Sequence, residues 1–271
     1  MDVKYGLWLR NGPALSAAEC VEWAVAAEEG GWDGVFASEA IEDGFTDPWA
    51  TLAAVAAATE RITLGTWITA VPNQQPGRLA NTAATLDQLS GGRVMLGAGL
   101  GARYEYETFG VEYDAKRLGD RYDEALEVIT KLWSGETVDH DGEFFTVREA
   151  TLQTLPVQEP RIPIVVAAWW PAKRPLRRGA QWDGIMPSWP AMMGGEEGPE
   201  GQQPTGKSVA DEFRELMDYY HDQTDDPGEV VAPALRDDEY LSICEELGVT
   251  WLLRGSIDSI EDLRDGPEAL V

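Results

Sequence analysis

The side chains that could do chemistry in this 271-residue sequence are mainly acidic, amide and aromatic. Histidine, the usual general base, occurs only twice, as His140 in a predicted hairpin turn and His221 in an acidic helical segment. Neither follows a predicted strand, so a Ser-His-Asp triad and a histidine metal site are both excluded. Proton transfer by the protein therefore falls to Glu39, with Glu105 and Tyr104 as lesser candidates. An equal alternative is that Glu39 accepts a hydrogen bond and orients a ligand.

Tryptophan occurs repeatedly at predicted strand ends, where it could bind a flat ligand. Trp67, Trp169, Trp170 and Trp189 each close or follow a short apolar strand. Large aromatic walls with a few polar groups are typical of a pocket for a planar, mostly apolar ring system. Alternatively, some of these indoles cap the core or line a dimer contact. Because protein nucleophiles and bases are scarce, the sequence favours a cofactor that brings its own reactivity.

A glycine-rich run ends the fourth predicted strand at Gly97-Ala98-Gly99-Leu100-Gly101. Small residues there let a ligand or backbone approach closely, but no Gly-Lys-Ser or Gly-Lys-Thr follows, so this is not a phosphate loop. The cationic side chains near strand ends that could meet a phosphate are Arg103 and Arg254, with Ser188 as a hydroxyl donor. A structural ion pair is the alternative role for each arginine.

The charge balance is strongly acidic, with 48 acidic against 21 basic residues and a formal net charge of −27. Such a surface repels nucleic acid and anionic membranes, so neither is expected as a partner, and acidic substrates are disfavoured. The acidic excess is spread along the whole chain, which is typical of proteins that work in molar salt, where charge repulsion is screened. We therefore expect a halophilic protein.

The distribution of apolar residues and cysteines favours a cytoplasmic protein. No run of about 18 apolar residues is present, and the first residues do not resemble a signal peptide. Cys20 and Cys244 both lie in helical patterns and are expected to be buried. Neither a disulfide nor a cysteine metal site is predicted, and the same holds for metal sites of any other kind.

A recurring unit of helix, short turn and buried strand organises the chain. It reads EEGGWDGVFAS from Glu28, RRGAQWDGIMPS from Arg177 and, more loosely, EELGVTWLLRGS from Glu245. A helix that ends beside glycine and is soon followed by a buried strand is the usual connection in a parallel sheet. With these three, further strands predicted at 5–9, 61–67, 93–98, 162–167 and 229–232 bring the number to eight.

Eight strands that alternate with helices predict an α/β fold, a (β/α)₈ TIM barrel. An open doubly wound sheet is disfavoured because no Gly-x-Gly-x-x-Gly follows the first strand. Residues 137–147, with Asp141-Gly142 between apolar runs, predict a β-hairpin insertion. Residues 192–208 predict a long loop, either a lid or a solvated linker. Because composition shows no break, residues 1–271 are expected to form a single domain.

Several runs along this framework resemble the luciferase-like monooxygenases. They are RITLGT at 61–66, AATLDQLSGGR at 83–93, LGAGLG at 96–101, ALEVI at 125–129, LWSG at 132–135 and RIPI at 161–164. The resemblance implies a TIM-barrel oxidoreductase that binds FMN or coenzyme F420, usually as a homodimer, and acts on a small organic substrate. FMN would permit monooxygenation, whereas F420 would support hydride transfer by a reductase or dehydrogenase. The sequence does not distinguish the two.

The resemblance also assigns site residues. It implies a non-prolyl cis peptide between Trp67 and Ile68, and a paired Asp-His position that reads Glu39-Ala40 here. The expected Ala-Gly-Gly phosphate stretch instead reads Ala167-Ala168-Trp169-Trp170, where indoles would narrow the phosphate site. Glu39 is the predicted catalytic residue, and the predicted cofactor-binding residues are Ser38, Glu39, Trp67, Ile68, Gly101, Arg103, Ala168, Trp169, Trp170 and Ser188. The alternative is a non-catalytic barrel that binds a flavin or a small aromatic ligand.

Overall fold

The computed structural model describes residues 3–9, 15–41, 44–194, 203–255, 257 and 259–267. Arg10, Asn11 and Ser256, which follow predicted strands, lie outside the described residues. The same is true of 195–202, within the predicted loop at 192–208. In the described part of the chain, no helix is both long and apolar enough to cross a membrane.

Strands and helices alternate along the chain as predicted. The strands are β1 (Lys4–Leu9), β2 (Gly34–Ala37), β3 (Thr63–Thr66), β4 (Thr69–Ala70), β5 (Val94–Gly99), β6 (Val138–Asp141), β7 (Thr146–Ala150), β8 (Ile164–Trp169), β9 (Gly184–Ser188), β10 (Glu229–Pro233) and β11 (Trp251–Arg254). The α-helices are α1 (Ala17–Glu29), α2 (Pro48–Ala58), α3 (Pro76–Ser90), α4 (Arg103–Glu107), α5 (Ala115–Trp133), α6 (Lys173–Gly179), α7 (Val209–His221), α8 (Asp238–Cys244) and α9 (Ile260–Arg264). Short 3-10 helices span Val71–Asn73 and Pro190–Met193.

This order of elements confirms the predicted fold class. Strands β6 and β7 pair antiparallel as the predicted hairpin insertion, which places His140 in strand β6 and not in the turn. The hairpin strands β6 and β7 do not belong to the strand-helix repeat. When β4 is counted as a short continuation of β3, the other strands number eight, and each is followed by a helix. The chain therefore has the (β/α)₈ TIM-barrel fold with a β-hairpin insertion.

Two compact units are distinguishable within the chain. Unit 1 consists of Met1–Trp8, Ala26–Phe36 and Ile164–Val271, and unit 2 consists of Leu9–Val25 and Ala37–Pro163. The expectation that residues 1–271 form a single domain stays a prediction.

Unit 1 contains a run of adjacent strands in the order β2-β1-β11-β10-β9-β8. Its core includes an aromatic cluster in which Trp189 stacks on Phe213, with 4.8 Å between ring centroids. Tyr240 packs edge-on against Phe213 at 5.1 Å, and all three side chains are fully buried. Aromatic rings of this size contribute a large share of the apolar surface that folding removes from water.

The repeated Trp-Asp-Gly turns of unit 1 have a common structural role. The Asp33 carboxylate accepts a hydrogen bond from the Tyr5 N–H at 2.8 Å, and the Asp183 carboxylate accepts one from the Ile164 N–H at 2.7 Å. Each aspartate also donates its own N–H to the carbonyl of the same partner. In the looser third repeat, the Thr250 hydroxyl accepts from the Val230 N–H at 3.0 Å. The turn side chain thus caps the first backbone groups of a neighbouring strand.

Unit 2 is built around β5, with which both β3 and β4 pair in parallel. Helices α2, α3 and α5 pack together, and the Trp133 indole N–H at the end of α5 donates to the Ala80 carbonyl of α3 at 2.9 Å. The hairpin is attached to α5 by the Glu124 carboxylate, which accepts from the N–H groups of Phe144 and Phe145 and contacts His140 Nε2 at 3.0 Å.

The run TLDQLSGGR, residues 85–93, ends α3 and leads into β5. The Asp87 carboxylate is fully buried and accepts from the N–H groups of Val157 and Gln158 at 2.8 and 3.1 Å. Gly91 has a φ of +69°, the left-handed conformation that ends many helices and that glycine adopts without strain. The Arg93 guanidinium then donates to the carbonyls of residues 56, 59, 62 and 90 at 2.7–3.1 Å. This run therefore joins α2, α3 and β5 by satisfying buried backbone groups.

We predict that Arg93→Lys lowers the free energy of unfolding by about 2–4 kcal/mol, because an ammonium has three donors and cannot reproduce the planar fork of a guanidinium. Chemical denaturation followed by circular dichroism measures the change. Arg148→Lys is the matched control, since that side chain is 72% exposed and should change stability by less than about 0.5 kcal/mol. Equal stability of the two variants would contradict the assigned role of Arg93.

Candidate active site

The Glu39 carboxylate follows β2 and is held by donors from the segment after β3. Its Oε1 accepts from Gln74 Nε2 at 2.5 Å, and its Oε2 accepts from the Ala70 N–H at 3.1 Å. Ala70 ends β4, and Gln74 follows the 3-10 helix at Val71–Asn73. The two oxygens are thus positioned by separate donors, which fixes the orientation of the carboxyl group.

Burial raises the pKa of Glu39 to about 7. The Ala70 N–H and the Thr69 hydroxyl act in the opposite direction, whereas the neighbouring carboxylates of Glu105 and Asp47 raise the pKa further. An acid whose pKa lies near neutrality can both release and take up a proton under working conditions. Glu39 therefore has the environment expected of a general acid or base.

A cavity of about 270 Å³ opens beside Glu39. Acidic, amide and apolar side chains line it: Glu39, Ile41, Asp47, Pro48, Ala70, Asn73, Gln74, Glu105 and Phe109. Ile41 and Phe109 are 66% and 60% exposed, so apolar surface borders the opening. No lysine or arginine is among these lining residues, and all of them belong to unit 2. A concave site that combines apolar walls with a perturbed acid is a candidate binding site for a small molecule.

The peptide bond between Trp67 and Ile68 is cis, at the position that the sequence resemblance implied. The Ser38 hydroxyl donates to the Trp67 carbonyl at 2.9 Å, and the Trp67 N–H donates to the Ala37 carbonyl at 2.8 Å. Four predicted site residues, Ser38, Glu39, Trp67 and Ile68, therefore follow the neighbouring ends of β2 and β3.

Gly101 lies close to Ala70, which donates to Glu39. Its φ is +80°, and a Cβ atom there would lie 2.9 Å from the Ala70 Cβ. Glycine lets the segment after β5 approach the residue whose N–H binds Glu39. Arg103, in contrast, pairs with Glu107 at 3.0 Å and lies 4.6 Å from the ring centroid of Tyr113. Its observed contacts are those of a structural ion pair, and its assignment to cofactor binding stays a prediction.

The other predicted cofactor residues lie in unit 1. Trp169 and Ser188 are opposite each other in the register of β8 and β9, and the buried Ala168 precedes Trp169. Trp170 is only 9% exposed, packs in the core of unit 1 and donates its N–H to the Ser188 carbonyl at 2.8 Å. The four residues thus form one cluster at the ends of two paired strands.

Other sequence candidates have different surroundings. Arg254 ends β11, where burial, with Arg236 nearby, holds its pKa below the ordinary value. Glu105 borders the Glu39 cavity, but its carboxylate accepts from the Ala102 N–H, and Tyr104 is 42% exposed. Among the described residues, no three histidine, cysteine, aspartate or glutamate side chains are arranged to hold a metal ion.

Sequence reasoning missed several residues of the cavity. Gln74, Asn73 and Ala70 were absent from the predicted site because they follow the third strand in a segment without a recognisable motif. Asp47, which also lines the cavity, caps helix α2 by accepting from the Ala50 N–H at 2.7 Å. The short Pro-containing turn after a strand end was the one available signal for this segment.

Comparison with known proteins gives relatives that differ in reaction and cofactor. The F420-dependent glucose-6-phosphate dehydrogenase of Microbacterium testaceum is 36% identical over 164 residues, which are 57% of this chain and 48% of that protein. The oxygenase component of the flavin-dependent trigonelline monooxygenase of Acinetobacter baylyi is 34% identical over 154 residues, or 55% and 42% of the two chains. The chain thus spans about half the length of these relatives.

Solved structures with the same fold cover the chain more completely. An F420-dependent secondary alcohol dehydrogenase, solved with an F420-acetone adduct, covers 100% of this chain and 98% of its own, with a TM-score of 0.75 and 18% identity. The F420-dependent tetrahydromethanopterin reductase of Methanopyrus kandleri covers 97% of both chains, also with a TM-score of 0.75, at 15% identity. At such identities the likeness concerns the fold alone.

The family assignment rests on a match that covers most of the chain. The family described as luciferase-like monooxygenase matches residues 3–189, which include both clusters of predicted site residues. This chain belongs to the luciferase-like monooxygenase family.

Proposed function

We propose that the chain is an oxidoreductase that uses FMN or coenzyme F420 to transform a small organic molecule, with Glu39 as its acid-base group. The environment of Glu39 carries the proposal, because a buried carboxyl with a pKa near 7 borders a cavity with apolar walls. The named activities of the relatives, F420-dependent dehydrogenase and flavin-dependent monooxygenase, support it. The alternative, a non-catalytic barrel, is not favoured by these relatives.

The residues present fit a planar cofactor with an acceptor-rich tail. The Trp169 indole Nε1 is buried and has no hydrogen-bond partner among the described residues. A buried donor without an acceptor is costly, and a phosphate oxygen of the cofactor would satisfy it. Within unit 1, we propose Ala168, Trp169, Trp170 and Ser188 as the residues for a phosphate-bearing tail. Within unit 2, taken by itself, we propose Ser38, Trp67, Ile68 and Gly101 as the residues for a planar ring. When bound, FMN would supply oxygen activation, and F420 would supply hydride transfer.

The proposed role of Glu39 follows from its two donors. Gln74 and Ala70 orient the carboxyl group, so its proton is exchanged at a fixed place beside the cavity. In the protonated form Glu39 donates to a substrate oxygen or nitrogen, and in the ionised form it accepts a proton. Because the described residues that line the cavity include three carboxylates and no lysine or arginine, the proposed substrate is neutral or cationic.

We predict that Glu39→Gln lowers turnover by about 10²- to 10⁴-fold, the usual contribution of general acid-base catalysis. The wild-type pH-rate profile should show an apparent pKa near 7 that the variant lacks. Cofactor titration by absorbance and steady-state rates with reduced FMN or F420 provide the measurements. Glu127→Gln, an exposed substitution on α5, is the control that should leave the profile unchanged.

The same substitution should change the pH dependence of stability. The pKa of Glu39 is raised from 4.5 to about 7 in the folded chain, so folding favours its protonated form. The stability that the folded chain gains from protonated Glu39 is fully present below pH 4.5 and is lost as pH rises through about 7. The stability difference between Glu39→Gln and wild type should therefore increase in favour of the variant over this range. A pH-independent difference would contradict the assigned pKa.

We also propose that the chain forms a cytoplasmic homodimer through the exposed faces of α2 and α3. The exposed positions of α2 are all alanine, at 50, 54, 57 and 58, and those of the adjacent α3 include Asn81, Thr85, Gln88 and Leu89. Arg78 is the only exposed charged residue of the two helices. In a chain with a net charge of −27, a face without exposed carboxylates lets two copies approach without strong repulsion. Both cysteines are buried thiols, as expected in a reducing compartment.

Substitution within this face tests the dimer. Light scattering after size-exclusion chromatography should give wild type twice the 29.7 kDa chain mass. Ala54→Asp should have the mass of the monomer, because a dimer of this variant would bury two new charges in its interface. Ala18→Asp, at an exposed position of α1, should remain dimeric. A monomeric wild type, or a dimeric Ala54→Asp variant, would exclude this interface.

We further propose that the protein is halophilic, which the acidic excess supports. Salt screens carboxylate repulsion, so the melting temperature should rise steadily between about 0.1 and 2 M NaCl. Thermal unfolding by circular dichroism at each concentration measures this, with sucrose as a control for solute exclusion. Unchanged folding and cofactor affinity after dialysis into millimolar buffer would refute halophily without affecting the proposed reaction.

A further inference from the structure

A second cavity, of about 410 Å³, lies in unit 2 between the turn after β4, the start of α5 and the hairpin. Unlike the cavity beside Glu39, it is lined by two arginines, Arg117 and Arg121. They are separated by one helical turn and therefore project from the same side of α5. None of the predicted site residues lines this cavity.

The Arg121 guanidinium is held in place by two contacts. Its Nε donates to the Pro72 carbonyl at 2.8 Å, and its Cζ lies 4.2 Å from the ring centroid of Phe145. These contacts use one of the five N–H groups of the guanidinium. The remaining four, on the two terminal nitrogens, have no acceptor among the described residues. A partly buried, fixed fork of donors is suited to a planar anion that accepts two parallel hydrogen bonds.

Arg117 adds a second positive charge at the more exposed end of the cavity. Its Cζ lies 5.3 Å from the ring centroid of Phe144, which also lines the cavity. Its nearest carboxylate, that of Glu143, is 4.0 Å away, and both side chains are 67% exposed. Such an ion pair is weak and leaves the guanidinium able to bind a ligand.

We propose that this cavity binds a monocarboxylate with an apolar body, such as an aromatic or branched-chain acid. Arg121 would bind the carboxylate through its terminal nitrogens, while Tyr106, Val111 and Phe144 would contact the apolar part. Glu112 and Asp114 also line the cavity and disfavour a second negative charge on the ligand. The site therefore selects monoanions over phosphate dianions.

The proposed carboxylate site adjoins the Glu39 cavity. Asn73 lines both cavities, and the same short segment carries Pro72, which accepts from Arg121, and Gln74, which donates to Glu39. A ligand on Arg121 is thus separated from the acid-base group by a single turn. The binding proposal does not depend on the proposed redox function, because it requires no cofactor.

Isothermal titration calorimetry of the purified full chain with benzoate tests the proposal. Benzoate should bind saturably, benzamide and acetate should bind at least tenfold more weakly, and phenyl phosphate should not bind more tightly than benzoate. Arg121→Gln should weaken benzoate binding at least tenfold, and Arg121→Lys should not restore it because an ammonium lacks the planar fork. Arg148→Gln, at the exposed Arg148 of the hairpin, should bind benzoate as wild type does.

A second variant separates binding from folding. Arg117→Gln changes an exposed side chain, so it should weaken benzoate binding severalfold while the circular dichroism spectrum and melting temperature stay at wild-type values. The proposal is overturned if benzoate does not bind, if benzamide binds equally well, or if folded Arg121 and Arg117 variants retain wild-type affinity. If the wild-type chain binds benzoate but shows no redox activity with FMN or F420, only the proposed function is refuted.

Discussion

The burial of one carboxyl group, that of Glu39, is the constraint on which the candidate site depends. A carboxylate away from water is costly unless donors compensate it, and here the compensation is incomplete, so the pKa rises to about 7. Gln74 and the Ala70 backbone supply the donors, which requires the segment from the end of β4 to Gln74 to lie close to Glu39, just after β2. Gly101 permits this arrangement because any side chain there would displace Ala70. The burial that results from this packing is the main cause of the raised pKa of Glu39.

The turn at Val71–Asn73 connects two different electrostatic environments. On one side Gln74 binds the Glu39 carboxyl, in a cavity lined by carboxylates. On the other side Pro72 accepts from Arg121, whose guanidinium carbon lies over the Phe145 ring of the hairpin. The hairpin is attached to α5 by Glu124, so the inserted element positions Phe145, one of the two groups that contact Arg121. In this way, an insertion outside the strand-helix repeat helps to shape the surroundings of the candidate active site.

The fold was accessible from the sequence because it depends on local patterns. Buried strands and helix-ending glycines repeat along the chain, and the Trp-Asp-Gly turns that marked the repeats use Asp33 and Asp183 to cap neighbouring strands. The site was accessible only where a strand end or a family motif identified it, as for Glu39, Trp67 and Ile68. Gln74 and Arg121 could not be predicted, because their roles arise from contacts with Glu39 and Pro72, 35 and 49 residues away. Such long-range pairings leave no periodic signal in the sequence.

The most direct test of the central claim is the titration of the Glu39 carboxyl itself. Carbon-13 NMR of side-chain carboxyl groups, with the Glu39 signal assigned by its loss in Glu39→Gln, gives the pKa of this group without any cofactor or substrate. A midpoint near pH 7 is predicted. A midpoint near the ordinary glutamate value of 4.5 would show that the carboxyl is solvated and ionised, and would contradict its proposed acid-base role.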